Sequence, residues 1–150
     1  MRATRGGDMA RQTVQRYMTL SPRVISSGQT LAQARQAMRE SNIRHLPVVD
    51  DGRLVGVVSQ RDLYLLETLR AVDPASETVR EAMSPEPFAV RPDAPLDEVA
   101  LAMAQHRYGS AVVVDRGAVV GLFTTVDALR ALAALLRRGG RGADPARASD

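Results

Sequence analysis

The chain of 150 residues repeats itself at a spacing of 65. Val14, Met18, Pro22, Leu31, Ala37, Met38, Val48, Val49, Asp50, Gly52, Val55, Gly56 and Asp62 recur as Val79, Met83, Pro87, Leu96, Ala102, Met103, Val113, Val114, Asp115, Gly117, Val120, Gly121 and Asp127. These are 13 identities over the 50 ungapped positions Val14–Leu63. Internal repetition settles architecture before any local pattern does. It predicts an α/β (α+β) fold of two βαβ-like units packed as a pseudo-twofold pair, with two related clefts between them.

A chain of this length supports one compact domain or one tightly packed pair of repeats. Aromatic residues make up 3% and Trp is absent, so the core must be built from Val, Leu, Ala and Met. There is no Cys, which excludes disulfides, thiolate metal sites and a Cys nucleophile. Residues 1–12 are charged and lack an apolar stretch, and the apolar run Ala131–Leu136 is far too short to span a bilayer. The expectation is a cytoplasmic protein with no membrane partner. The net charge of +3 divides unevenly: residues 1–16 carry +3, residues 137–150 carry +2, and the body between them carries −2. All twenty basic residues are Arg, and the excess sits on the tails, which disfavours a nucleic-acid-binding face.

The pattern of each repeat runs turn, strand, helix, hairpin, helix. Val14–Met18 reads as a helical turn capped by Thr13, Arg23–Ile25 as a strand and Thr30–Glu40 as a helix with Leu31, Ala34 and Met38 inward. Leu46–Val49 and Leu54–Val58 form a hairpin around Asp50-Asp51-Gly52-Arg53, and Ser59–Leu69 is a helix with Leu63, Leu66 and Leu69 on its apolar face. The second repeat predicts a turn at Val79–Met83, a strand at Phe88–Val90, a helix at Pro95–Gln105, a hairpin of Ala111–Val114 with Ala118–Phe123, and a closing helix Thr124–Leu136. Residues 1–13 are expected to be a flexible arm, 14–70 the first repeat, 71–78 a linker, 79–136 the second repeat, and 137–150 a disordered Gly-, Pro- and Ala-rich tail.

Chemistry concentrates where each hairpin feeds its last helix. The first junction is Gly56-Val57-Val58-Ser59-Gln60-Arg61-Asp62 and the second is Gly121-Leu122-Phe123-Thr124-Thr125-Val126-Asp127. The hydroxyl residue starts a helix, where free N–H groups and the dipole favour a phosphate. The Asp in the first turn can accept hydrogen bonds from vicinal hydroxyls such as those of ribose. The Gly admits another backbone or a flat ring at close range. The same pattern is also close to a capping box, and the Gly could mark a β-bulge; capping and binding are compatible.

The opening Val-x-x-x-Met, the central Leu46-Pro47-Val48-Val49-Asp50, the Asp-x-Gly turns and the two Gly-x-x-Ser/Thr-x-x-Asp endings resemble a tandem pair of cystathionine β-synthase (CBS) domains, a Bateman module, over about Val14–Leu136. The resemblance implies β-α-β-β-α repeats paired through their sheets. It also implies clefts for AMP, ADP, ATP or S-adenosylmethionine, taken with or without magnesium as a regulatory ligand, with no required cofactor. By position, Ser59 and Thr124 would face phosphate, Asp62 and Asp127 would hold ribose hydroxyls, and residues near Val24 and Ala89 would flank the base. Arg44 and His45 would reach phosphates, while a solvated Arg and a surface or half-buried His explain them equally well. Gly109-Ser110 replaces them in the second repeat, so the clefts should be unequal.

No catalytic constellation is visible: His45 and His106 lack a nucleophile or acid partner at motif spacing, and neither Gly motif is a P-loop. Asp50-Asp51 and Asp97-Glu98 suit a turn and a first helical turn, so no metal is assigned. The expectation is a non-enzymatic sensor of an adenosine compound, of the kind used in energy sensing and signal transduction. It would be a homodimer signalling to a separate, unidentified protein partner. The alternative is a ligand-free dimerisation scaffold whose Ser/Thr-x-x-Asp motifs only cap helices.

Overall fold

The computed structural model describes residues 12–141. A 3-10 turn (Val14–Arg16) leads into β1 (Thr19–Leu20), α1 (Leu31–Ser41), the hairpin β2 (His45–Asp50) and β3 (Arg53–Ser59), and α2 (Gln60–Leu69). The second half follows with α3 (Val79–Ala82), β4 (Ala89–Val90), α4 (Leu96–His106), the hairpin β5 (Ser110–Asp115) and β6 (Ala118–Thr124), and α5 (Thr125–Arg141). Both hairpins turn through two residues of positive φ, Asp51-Gly52 and Arg116-Gly117, where a Gly at the second position removes the Cβ clash. One extra residue, Val55 or Val120, bulges each ladder just before the repeated Gly.

One sheet runs β1-β6-β5-β4, with β4 parallel to β5 and the other pairs antiparallel. The β2-β3 hairpin is completed in the same way by single bridges, Ile25 parallel to Val48 and Ser84 antiparallel to Val57. The outer partners therefore change places. Thr19, from the first repeat, pairs with Leu122 on the second hairpin, while Ser84, from the second repeat, pairs with Val57 on the first.

The cores follow this exchange. One cluster joins Leu31, Ala34, Met38, Leu46, Val48, Val58, Leu63 and Leu66 with Val79 of the second repeat. The other joins Leu96, Val99, Met103, Ala111, Val113 and Phe123 with Val14 of the first. Val14 and Val79 are fully buried. Matching backbone bonds hold the exchange: Leu96 N–H donates to Gln12 O and Leu31 N–H to Glu77 O, both at 2.9 Å. Each repeat thus lacks a core residue that the other supplies, so neither is a self-contained unit.

Several expectations change at the ends of elements. Thr13 makes no side-chain cap; its backbone bridges Pro95 instead and Gln12 O accepts from Leu96 N–H, so residues 12–13 are tied by backbone to the second repeat. Only Ile25 of the expected strand Arg23–Ile25 makes a bridge, and the two-residue strand lies earlier, at Thr19–Leu20. Leu63 and Leu66 are buried but Leu69 is 78% exposed. The closing helix runs on to Arg141, so residues 137–141, expected in the tail, are helical; the expected disorder of 142–150 and flexibility of 1–11 lie outside the described residues.

One polar network has no counterpart in the second repeat, where Ser27 is replaced by Pro92. Buried Ser27 donates to Asp50 Oδ2 at 2.6 Å through its hydroxyl and to Oδ1 at 2.9 Å through its N–H, and it accepts from Arg80 at 2.9 Å. Those bonds from Ser27, with Arg80 nearby, hold the Asp50 carboxyl below the usual range. Ser27→Ala removes two side-chain hydrogen bonds from a buried site and is expected to lower stability by about 1–2 kcal/mol in a denaturant melt.

Candidate functional site

Ser59 and Thr124 leave their strands extended and open the next helix, which leaves N–H donors unsatisfied. Both junctions solve this as capping boxes. Ser59 Oγ accepts from Asp62 N–H at 3.0 Å, and Ser59 N–H donates to Asp62 Oδ2 at 2.8 Å. Thr124 Oγ1 accepts from Asp127 N–H at 3.3 Å, and Thr124 N–H donates to Asp127 Oδ2 at 3.0 Å. Both Asp side chains are thus held in place by the backbone of their own helix starts.

The exchange of segments decides what lies beside them. Thr19 Oγ1 reaches across the repeats to Asp127 Oδ2 at 3.5 Å. Ser84 forms backbone bonds of 2.8 and 3.1 Å with Val57, close to the other junction. Each junction is therefore flanked by the opening segment of the other repeat. Sequence reasoning missed Thr19 and Ser84, although both are hydroxyl residues that directly follow the repeated Met.

Gly56 and Gly121 make room for protein. A Cβ on Gly56 would lie 2.7 Å from both Met83 Sδ and the Ser84 carbonyl oxygen, and one on Gly121 would collide with Met18. The close approach expected of these glycines is made by a backbone and a methionine, which explains the repeated Met four residues after each repeated Val.

His45 pairs with Ser59 across the β2-β3 ladder, and its imidazole packs on Gly109, where a Cβ would lie 2.6 Å from Nε2. Gly109 is the counterpart of Arg44, so the first repeat's His sits on the second repeat's glycine. Arg44 is exposed, and its carbonyl accepts from Gln60 N–H at 2.9 Å. Val24 and Ala89 are both exposed, beside the β2 and β5 segments that Ile25 and Val90 join. Among the described residues, no group of three or more His, Cys, Asp or Glu is placed to hold a metal.

Burial pushes the His45 pKa below its usual value; nearby Asp62 opposes this and Arg44 adds to it. The unfolded chain therefore takes up a proton at higher pH than the folded one. Stability from neutral His45 is full above about pH 6.5 and is lost as pH falls below that value. Melting temperature is expected to drop between pH 7.5 and 5.5, and His45→Gln should flatten that drop. An equal slope in the variant would remove His45 as its cause.

Known proteins share this fold. The family described as CBS domain matches residues 14–66 and again 79–134. The CBS domain-containing protein YhcV of Bacillus subtilis is 31% identical over 115 residues, covering 77% of this chain and 81% of its own. Inosine-5'-monophosphate dehydrogenase of Korarchaeum cryptofilum is 33% identical over 104 residues, where the match spans 69% of this chain and 21% of the enzyme. Among solved structures, the AcuB protein of Vibrio cholerae superimposes with a TM-score of 0.79 at 32% identity, covering 86% of this chain and 97% of its own. The CBS domain pair of protein MJ0100, in complex with 5'-methylthioadenosine and S-adenosyl-L-methionine, has a TM-score of 0.75 at 27% identity, covering 82% of this chain and 97% of its own. CBSX2 in complex with AMP has a TM-score of 0.72 at 28% identity, with coverage of 82% and 97%.

Proposed function

The chain belongs to the CBS-domain family as a tandem pair, and from that premise we propose that it is a regulatory module that takes an adenosine-containing ligand between its repeats and signals in trans to a protein partner. One observation carries this reading: each Ser/Thr-x-x-Asp junction lies against the opening segment of the other repeat. A ligand held by either Asp therefore touches both halves, and its binding energy can bias their relative arrangement. A ligand shifts such an equilibrium only by its differential affinity for the two arrangements. The complexes of MJ0100 with S-adenosyl-L-methionine and 5'-methylthioadenosine, and of CBSX2 with AMP, support the ligand class.

In this reading Asp62 and Asp127 accept from the ribose diol. Ser59 and Thr124, with the N–H groups of their helices, face phosphate where the ligand has one, and Arg44 and His45 supply nearby basic groups. The base lies beside Val24 or Ala89, and magnesium accompanies a ligand with several phosphates. The module performs no catalysis of its own and works in the cytoplasm. Exposed Leu69 on α2 and Leu129, Leu132 and Leu136 on α5 offer an apolar face for a homodimer.

The scaffold alternative has an observation in its favour, since both Asp residues already serve as helix caps. A thermal-shift screen against AMP, ADP, ATP, NAD, S-adenosylmethionine and guanine nucleotides, with and without magnesium, separates the two. A ligand at about 100 times its dissociation constant stabilises the fold by about 2.7 kcal/mol, a shift of several degrees. A selective shift with adenosine compounds is the expected result. A flat response to every compound would favour the scaffold.

A further inference from the structure

Resting on that ligand-binding reading, we infer that the two clefts are unequal and that the tighter site is the one at Asp62. The two carboxylates occupy matching positions but differ in how far the protein has already satisfied them. Asp127 Oδ2 receives Thr124 N–H at 3.0 Å, Thr124 Oγ1 at 3.2 Å and Thr19 Oγ1 at 3.5 Å. Its Oδ1 lies 3.8 Å from Arg130, and the side chain is 8% exposed. An ionised carboxylate offers about four lone-pair sites. All three donors fall on Oδ2, so a ribose diol is left only Oδ1, on a side chain that is almost wholly buried.

Asp62 is only half-buried, and among the described residues its carboxylate accepts from Ser59 N–H alone. The repeat explains the difference. Leu65 stands where Arg130 does, so no guanidinium covers Oδ1. Ser84 stands where Thr19 does and is held here through its backbone, with no hydroxyl bond to Asp62. His45 lies near enough to Asp62 for their charges to interact, whereas the matching position in the second repeat is uncharged Ser110. Asp62 thus presents an open acceptor beside a titratable base, and Asp127 presents a closed one.

The test is calorimetric titration of the full chain with AMP and with S-adenosylmethionine, comparing wild type with Asp62→Asn, Asp127→Asn and Thr19→Val. In Asp62→Asn the side-chain oxygen still accepts from Ser59 N–H, so the cap survives, but the free oxygen becomes an NH2 donor facing the diol. The expected result is one tight site per chain, weakened tenfold or more by Asp62→Asn and less than threefold by Asp127→Asn or Thr19→Val. Two equal sites per chain, or a tenfold loss in Asp127→Asn with Asp62→Asn unchanged, would overturn the inference and leave the ligand-binding reading standing. Absence of binding to wild type by AMP and by S-adenosylmethionine would overturn both. Thr19→Val leaves the Thr124–Asp127 cap untouched, so it still reports on the closed cleft if Asp127→Asn fails to fold.

Discussion

Gly56→Val is expected to lower the melting temperature by about 10 °C. Gly56 is buried in β3 at the point where Ser84 and Met83 cross from the second repeat. A Cβ there would sit 2.7 Å from the Ser84 carbonyl oxygen, a backbone atom that itself accepts from Val57 N–H. That contact cannot be relieved by turning a side chain, so the crossing strand must move and carry Met83 with it. Overpacking of this kind costs about 1–3 kcal/mol, and the branched Val adds two methyl groups to the clash. For a domain of this size, about 3 kcal/mol corresponds to roughly 10 °C. Gly28→Ala is the control, since nothing lies within 4 Å of a Cβ at Gly28. A Gly56→Val protein that melts like Gly28→Ala would mean that the repeats are not held together through this crossing.

The second large effect falls on binding. Asp62→Ala combined with Asp127→Ala is expected to abolish measurable affinity for adenosine compounds while the chain stays folded. Asp62→Ala removes one half of a capping box, at about 1 kcal/mol, and Asp127→Ala removes a buried acceptor of three hydrogen bonds, at about 1–3 kcal/mol. The apolar cores are untouched, because neither residue belongs to them. A circular-dichroism melt reads the modest loss of stability and a ligand titration reads the loss of affinity. Unchanged affinity in the double variant would remove both carboxylates from the site.

Much of this was legible in the chain because it was written twice. The 65-residue period located both hairpins, both core helices and both Ser/Thr-x-x-Asp junctions, and period-3.6 spacing put Leu31, Ala34 and Met38 inward, as found. The exchange of opening segments was not legible. A repeat in sequence shows that two units are alike but not which copy completes which, and Val14 reads equally well as part of either core. The purpose of Gly56 and Gly121 was hidden for the same reason, since Met83 and Met18 reach them from the other repeat. In the Ser27–Asp50–Arg80 network only Asp50 is repeated; Ser27 and Arg80 align with Pro92 and Gln15 and carried no periodic signal. A difference between the two junctions was legible in Gly109-Ser110 standing in place of Arg44-His45. Its stronger cause, Thr19 and Arg130 on Asp127, depends on contacts that spacing does not encode.

The proposed function stands on an adenosine compound binding between the repeats through the Asp at a strand-to-helix junction. The most direct measurement is a calorimetric titration of AMP and of S-adenosylmethionine into the wild-type chain and the double Asp→Ala variant. Saturable binding of at least one of the two compounds to wild type, and none to the folded variant, is the expected result. Binding that is equal in the two proteins, or absent from a folded wild type for both compounds, would contradict it.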